Sequence, residues 1–283
     1  MDSLGDIIDD GGFPKRNKGM GPTTVIVTTT QITLVQIDNY GPWTVTPKPR
    51  REVDLQTLQS RLYADLSQQI GREGGYIFFT RFDNMIAVTN GIDLDEHALI
   101  QESVRNRYPV SISMGIGSAQ SPRDALADAT DVLQTAGSAQ DVGRTEILDG
   151  EILPETQRDD EDVQIAHFDV IDVTGTYTDR VDAFETFIAI EQGYAALMRY
   201  MHAEHDSLSF FVGGDNIIAT CPGLSESSYE DAISHVANEV GVDLQVGVGR
   251  GISAHDAGMA AKHALEECRH NGTRVERTLP ADD

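Results

Sequence analysis

Lysine is nearly absent from this chain. Only Lys15, Lys18, Lys48 and Lys262 occur in 283 residues, the rest of the 21 basic residues are arginines, and Asp plus Glu number 46. A formal charge of −25 leaves little basic surface to neutralise a phosphate backbone, which argues against DNA or RNA as partner. The acid is spread along the chain rather than gathered in a tail. At molar salt the screening length falls to roughly 3 Å and such a surface stops repelling itself, so the composition reads as adaptation to a salty cytoplasm. Cysteine is scarce too: Cys221 and Cys268 fit no Cys-x-x-Cys or zinc spacing, which leaves free buried thiols. His202 and His205 stand three apart on an expected helix with no Cys or third His nearby, a surface-helix pattern that offers zinc no cage. Long apolar runs are missing as well. Stretches such as Ile32 to Ile37 are strand-sized, against the roughly 20 residues that cross a bilayer, and the N-terminal MDSLGDIIDDGG is acidic where a secretory signal is basic and then apolar. No membrane is expected, and the cytoplasm is the expected location. Apolar residues still make up 40% of the chain, enough to build cores for two domains.

The sequence repeats itself. Phe78 to Val88, FFTRFDNMIAV, aligns at a spacing of 132 with Phe210 to Thr220, FFVGGDNIIAT, and six of the eleven positions are identical. The same spacing pairs Gly115 with Gly247, Gly117 with Gly249, Ser121 with Ser253, Ala125 with Ala257, Ala129 with Ala261 and Leu133 with Leu265. With one residue of slippage, Gln36-Ile37-Asp38 pairs with His167-Phe168-Asp169. A constant offset over so long a stretch indicates a duplicated domain. The division is a mobile extension over 1–29, a first domain over 30–150, an acidic linker over 151–160, a second domain over 161–278 and a tail over 279–283.

Within copy one, Ile32 to Ile37 is rich in β-branched residues and reads as a strand. Asp54 is placed to cap a helix whose Leu55, Leu58, Leu62, Leu66 and Ile70 share a face and which Gly71 ends. Tyr76 to Thr80 and Met85 to Thr89 form a hairpin, a helix near Asp95 to Asn106 follows, and Pro109 to Met114 is a strand. Ser121-Pro122-Arg123-Asp124 has the form of a capping box with Pro at the first helical position, repeated at Ser253 to Asp256. The order β-α-β-β-α-β, with a terminal helix and short strand, predicts an α+β fold of two tandem ferredoxin-like domains, each an antiparallel sheet with helices packed on it.

That topology lays the end of the first strand beside the hairpin. Asp38 and Asp83 are then expected to converge in copy one, and Asp169 and Asp215 in copy two. Paired carboxylates at strand ends suit Mg²⁺, or Mn²⁺ in its place, completed by waters and substrate phosphates. The segment after the first strand, Asp38 to Arg51, carries the only Trp and three of the basic residues. Lys48, Arg50 and Arg51 suit a triphosphate or pair with the many acids, and Tyr40 and Trp43 stack on a base or cap the core. Asn39, Asn84 and Asn216 have side-chain amides able both to donate and to accept.

The turn Phe211-Val212-Gly213-Gly214-Asp215-Asn216 resembles the signature of diguanylate cyclase (GGDEF) domains and, more distantly, the palm of nucleotidyl cyclases. Ala261 to Leu265 and Asn271 to Arg274 resemble that domain's C-terminal helix and turn. In that family two glycines let the backbone approach a nucleotide and the next acid binds metal, but Asn216 stands where the metal-binding Glu would be. Taken together, Gln36 to Thr44, Phe79 to Asn84 and Phe211 to Asn216 resemble archaeal GTP cyclohydrolase III over nearly all of 30–276. The resemblance implies two palm-like domains, GTP as substrate, Mg²⁺ dependence and a homo-oligomer. It also implies opening of the guanine imidazole ring with loss of two phosphates, to give a formylaminopyrimidine ribonucleotide monophosphate for flavin and deazaflavin synthesis. It places Asp38, Asp83 and Asp215 in catalysis, the four aspartates on metal, and Asn39, Tyr40, Gly41, Trp43, Lys48, Arg50, Arg51, Asn84, Gly213, Gly214, Asn216 and Lys262 on the nucleotide. Two other readings stay open, a nucleotidyl or diguanylate cyclase and a GTP-sensing module without turnover. Which copy is catalytic, or whether both build one site, is open as well.

Overall fold

The structure, a computed structural model, describes residues 28–154 and 163–278. The expected N-terminal extension up to residue 27, the linker from 155 and the tail from 279 lie outside the described residues.

Copy one runs β1 (Thr30–Ile37), α1 (Tyr40–Val45), α2 (Glu52–Arg72), β2 (Tyr76–Phe79), β3 (Asn84–Val88), α3 (Leu94–Arg107), β4 (Ile112–Ala119), α4 (Pro122–Thr135) and β5 (Leu148–Gly150). Copy two repeats the order with β6 (Val163–Val170), a short π-helical turn (Thr174–Thr178), α5 (Ala183–His205), β7 (Leu208–Gly213), β8 (Asn216–Cys221), α6 (Glu226–Val240), β9 (Leu244–Gly251), α7 (Ala254–Asn271) and β10 (Val275–Thr278). The sheets are ordered β2-β3-β1-β4-β5 and β10-β9-β6-β8-β7. The last strand of each is parallel to its neighbour and the other pairings are antiparallel. This is the expected α+β, ferredoxin-like arrangement in duplicate, except that the parallel terminal strand makes each sheet mixed rather than wholly antiparallel.

On one face of the first sheet, Val35, Ile37, Met85 and Ala87 bury against Leu62, Leu66 and Ile70 of α2 and Ile100 and Val104 of α3. On the other face α4 packs backbone to backbone. A Cβ on Gly115 would collide with the Ala129 carbonyl and one on Gly117 with the Ala125 carbonyl, and Gly247 and Gly249 meet Ala261 and Ala257 of α7 in the same way. The repeated Gly and Ala positions are therefore the price of close strand–helix approach. Ser121 and Ser253 cap α4 and α7 by accepting from the backbone N–H three residues on.

The copies join through a third core in which Leu34, Phe78 and Ile86 meet Ile165, Leu208 and Phe210. The contact is two-fold in kind. The Arg123 N–H donates to the Asp206 carbonyl at 3.1 Å, and the His255 N–H donates to the Gly74 carbonyl at 2.9 Å. Edge strands β2 and β7 meet there, and Thr80 lines one cleft together with Ser207 and Leu208.

Several local expectations change. The segment after β1 is not a plain loop but contains α1. Helix α2 begins at Glu52, so Asp54 sits inside its first turn, gripped by Arg51 through bonds of 2.8 and 2.7 Å. It also continues past Gly71 and ends where Gly74 takes φ +77°, the left-handed stop that glycine favours. Strand β4 starts at Ile112 rather than Pro109.

The slipped pairing of Asp38 with Asp169 is also corrected. Gln36 stands across from Asn84 and Ser113, whereas Asp169 stands across from Asn216 and Gln245. Asp169 thus occupies the place of Gln36, and Ile171 that of Asp38. In this register Gln31 and Gln164 are equivalent, and both are buried and accept from a backbone N–H, of Leu153 and of Leu224 respectively. The left-handed residues Asn39 and Asp172 then coincide.

Candidate functional site

In copy one the end of β1, the β2–β3 turn, α1 and the connection after α4 enclose a cavity of about 140 Å³. Tyr40, Gly41, Asp83 and Asn84, all expected there, line it. Gln36, Arg81 and Gln140, which the sequence reading did not assign, line it too. The backbone explains the convergence: the Ile37 N–H donates to the Asp83 carbonyl at 3.0 Å, and the Asn39 N–H to the Ala139 carbonyl at 2.7 Å. The wall formed by Ala139 and Gln140 has no motif of its own in sequence, and only its Gly137-Ser138 turn hints at a connection.

Asp38 and Asp83 end up adjacent along the backbone, but their carboxylates have different partners. Asp38 is 4% exposed. It accepts from Ser113 Oγ at 2.5 Å, Ser111 Oγ at 2.8 Å and the Glu146 N–H at 2.9 Å. Arg144 Nη1 lies 3.9 Å away. Arg144 is itself buried, donates from Nη2 to Gln36 Oε1 at 3.1 Å, and leaves Nε without a hydrogen-bond partner. Asp83 faces the cavity and is held by Arg81 Nη2 at 3.1 Å.

The basic cluster is not part of the cavity lining. Arg50 lies over the Trp43 ring, 3.8 Å from its centroid, and its Nε–H donates to the Trp43 carbonyl at 2.9 Å. Arg51 is paired with Asp54, and Lys48 is exposed. Trp43 packs at the margin of the core and stacks on Tyr40, with centroids 6.0 Å apart. Tyr40 Oη in turn accepts from Gln59 Nε2 at 2.7 Å.

In copy two the carboxylates do meet. Burial, and then the Asp169 carboxylate beside it, hold Asp215 above the usual carboxylate range. Asp169, 4% exposed, accepts from Gln245 Nε2 and from Arg269 Nη2, both at 2.9 Å. Asn216 Nδ2 donates to Asp215 Oδ1 at 3.2 Å, and Asn216 Oδ1 lies 2.9 Å from His167 Nε2. Burial pushes the His167 imidazole below its ordinary value, and Lys262 and Arg269 act in the same direction. Gly213 and Gly214 take φ of +109° and +67°, conformations that admit the turn because no Cβ is present.

Among the described residues no group of three or more His, Cys, Asp or Glu side chains able to hold a metal ion gathers, so a cation at either copy needs oxygen ligands beyond the carboxylate pair. The crowded Asp169–Asp215 pair fits such a cation, since a divalent charge offsets the like-charge repulsion that, after burial, holds Asp215 up.

Two ferredoxin-like domains, each with an acid at the tip of its central hairpin, define a duplicated palm-domain protein. The chain matches the model of the GTP cyclohydrolase III family over residues 32–282. It is 69% identical over 252 residues to GTP cyclohydrolase III 1 of Halobacterium salinarum, covering 89% of this chain and 99% of that one. It is 70% identical over 250 residues to GTP cyclohydrolase III of Natronomonas pharaonis, covering 88% and 99%. Among solved structures it is similar to the coiled coil and GGDEF domain of DgcB from Caulobacter crescentus in complex with c-di-GMP, at 15% identity and a TM-score of 0.37, covering 41% of this chain and 70% of that one. The chain belongs to the GTP cyclohydrolase III family, a family of enzymes. Among the described residues no helix is long and apolar enough to cross a membrane.

Proposed function

We propose that the chain is a cytoplasmic, Mg²⁺-dependent GTP cyclohydrolase acting at the cavity of copy one. Its product would be 2-amino-5-formylamino-6-ribosylamino-4(3H)-pyrimidinone 5'-monophosphate, an early intermediate of flavin and deazaflavin synthesis. The observation that carries the reading is the cavity itself, in a chain whose family is named for this substrate. It combines three amides (Gln36, Asn84, Gln140), a phenol (Tyr40), a cation (Arg81) and a carboxylate (Asp83). Amides that donate and accept side by side match the edge of guanine, and a guanidinium matches phosphate oxygens.

Ring opening requires water to add at C8 and the C8–N9 bond to break, with a proton delivered to N9. The formyl group then remains on N7. In copy one Asp83, with Asp38 at the neighbouring strand end, would hold Mg²⁺, and Asp38 joins only by exchanging a serine donor for the cation. In copy two Asp169 and Asp215 would hold it. When bound, Mg²⁺ neutralises the triphosphate and polarises phosphorus toward water. Arg81 orients the phosphates, while the α1 and Gln140 walls limit solvent at the base. The cavity of copy one and the Asp169–Asp215 pair of copy two are read as separate sites. A homo-oligomer built through palm faces, with no nucleic acid bound, completes the proposal.

The test is mass spectrometry of GTP incubated with protein and Mg²⁺ in molar KCl. A ring-opened monophosphate with two phosphates released is expected. A cyclic phosphate product, or GTP bound without phosphate release, would refute the reading. Asp83→Asn is expected to lower kcat about 100-fold or more, the scale of losing one transition-state charge partner. Asp215→Asn should cost less, and the reverse order would move turnover to copy two.

A further inference from the structure

The interface between the copies carries two clefts related by the internal two-fold, and they are not equal. One, about 740 Å³, lies between copy one's Thr80, Ile86 and Leu126 and copy two's α5 and β7. Its counterpart, about 270 Å³, lies between Ile218 and the equivalent α2 and β2 of copy one. Both are floored by an edge strand whose carbonyl accepts from a tyrosine: Tyr194 Oη donates to Ser209 O at 3.3 Å, and Tyr63 Oη to Ile77 O at 3.2 Å. The difference comes from side chains. In the small cleft the Tyr76 phenol packs against Gly258, where no Cβ would fit. In the large one the equivalent residues are Leu208 and Leu126, both aliphatic.

The large cleft has two further features. Ser209 is 4% exposed, lines it, and has an Oγ without a hydrogen-bond partner. A hydroxyl left dry in this way costs free energy unless something supplies a partner. On the rim stand Arg199 and His202, where copy one has Gln68 and Gly71. Arg199 is 65% exposed and bonds Glu239 through Nη2 at 2.6 Å, which leaves other donors of its fork open to solvent. The Arg199 guanidinium, placed here on a chain of charge −25, favours an anion.

We propose that the large interdomain cleft is a small-molecule site for a planar aromatic anion, a site separate from the nucleotide cavity. The ring takes the place that the phenol of Tyr76 fills in the counterpart, Ser209 Oγ hydrogen-bonds it from the floor, and Arg199 meets its charge at the rim. The volume lies within the range of ligand pockets, which are mostly apolar with a few placed polar groups.

The probe is 8-anilinonaphthalene-1-sulfonate, titrated by fluorescence against the full chain in molar KCl. Saturable binding at one site per chain is expected. Ser209→Ala should weaken it about 3-fold and Arg199→Gln about 10-fold, with GTP turnover unchanged and melting temperatures not lowered. The double variant Leu126→Gly/Leu208→Tyr, which copies the filled cleft, should abolish binding, and the two single variants keep the test valid if it does not fold. Phe184→Ser, on an exposed apolar part of α5 outside the cleft, should leave binding intact. Absence of saturable binding, including the case where a second copy covers the cleft in solution, overturns the proposal. So does binding that responds to Phe184→Ser and not to the cleft variants.

Discussion

Phe78 and Phe210, equivalent positions of the two copies, stack face to face across the interdomain contact, with ring centroids 4.3 Å apart and planes 3° from parallel. Each is 4% exposed, and each belongs to the core that both domains share. The internal two-fold passes between the rings. The repeat is thus a pseudo-dimer locked through its edge strands rather than two domains joined only by a linker.

Either Phe78→Ala or Phe210→Ala should cost about 3–5 kcal/mol, the usual loss for a buried aromatic. The double variant should cost less than the sum, because each single change already forfeits the stack. Denaturant melts of the three variants in molar KCl measure this, and full additivity would show that the rings act independently.

Gly249→Ala should destabilise the second domain by about 1–3 kcal/mol or more through overpacking, since its Cβ would run into Ala257 and Ala261 backbone atoms. Gly213→Ala meets no atom, and its cost is confined to the left-handed backbone. Thermal unfolding of the two variants is expected to rank them in that order.

Asp215→Asn should raise the melting temperature of metal-free protein at neutral pH, because it removes the like charge held against Asp169. Added Mg²⁺ should raise the melting temperature of the wild type more than that of the variant, by binding the native state. Calorimetry with and without Mg²⁺ gives both numbers, and equal Mg²⁺ shifts would remove the pair as a cation site.

His97 should make stability fall in mild acid. It is 1% exposed, with Nε2 2.8 Å from Thr33 Oγ1 and Nδ1 2.6 Å from the Asp93 carbonyl. Burial holds its imidazole below the ordinary value, against the opposing pull of Asp93 and Glu96. The unfolded chain therefore takes up the proton first. The stability this group contributes is present above its unfolded value of about 6.5 and is lost as the pH falls from there through the folded value. Urea midpoints between pH 5 and 7 should decline more for the wild type than for His97→Gln.

The acidic coat predicts a salt requirement. Melting temperature should climb as KCl rises from about 0.1 M to above 1 M, where the screening length shortens from about 10 Å to about 3 Å. A melt indifferent to KCl would show that the acids are not repelling one another.

Much of the architecture is legible in the sequence. The 132-residue offset announced a duplication, the glycines paired by it mark the close strand–helix contacts, and Ser121 and Ser253 are the caps they appear to be. These features are local or periodic, so adjacent residues suffice to specify them. Asp83, Asn84, Tyr40 and Gly41 were also legible as one neighbourhood, because the ferredoxin-like topology carries strand ends and hairpin to one place.

Other features depended on contacts between distant segments. The equivalence of Asp38 and Asp169 looked plain from three letters, yet the strand ladders set Asp169 across from Asn216 and Gln245, the counterparts of the Asn84 and Ser113 that face Gln36. Lys48, Arg50 and Arg51 promised phosphate contacts by charge alone, and Trp43 and Asp54 engage two of them first. Gln140 and Arg144 reach the site from an unpatterned connection, and the unequal interdomain clefts arise from Tyr76 meeting Gly258 across the two-fold. Sequence by itself determined the repeat, the element order and the types of chemistry available. Tertiary structure alone decided which carboxylates share a space and which cations stay free, because those outcomes rest on packing and hydrogen bonds between residues some 50 to 120 positions apart.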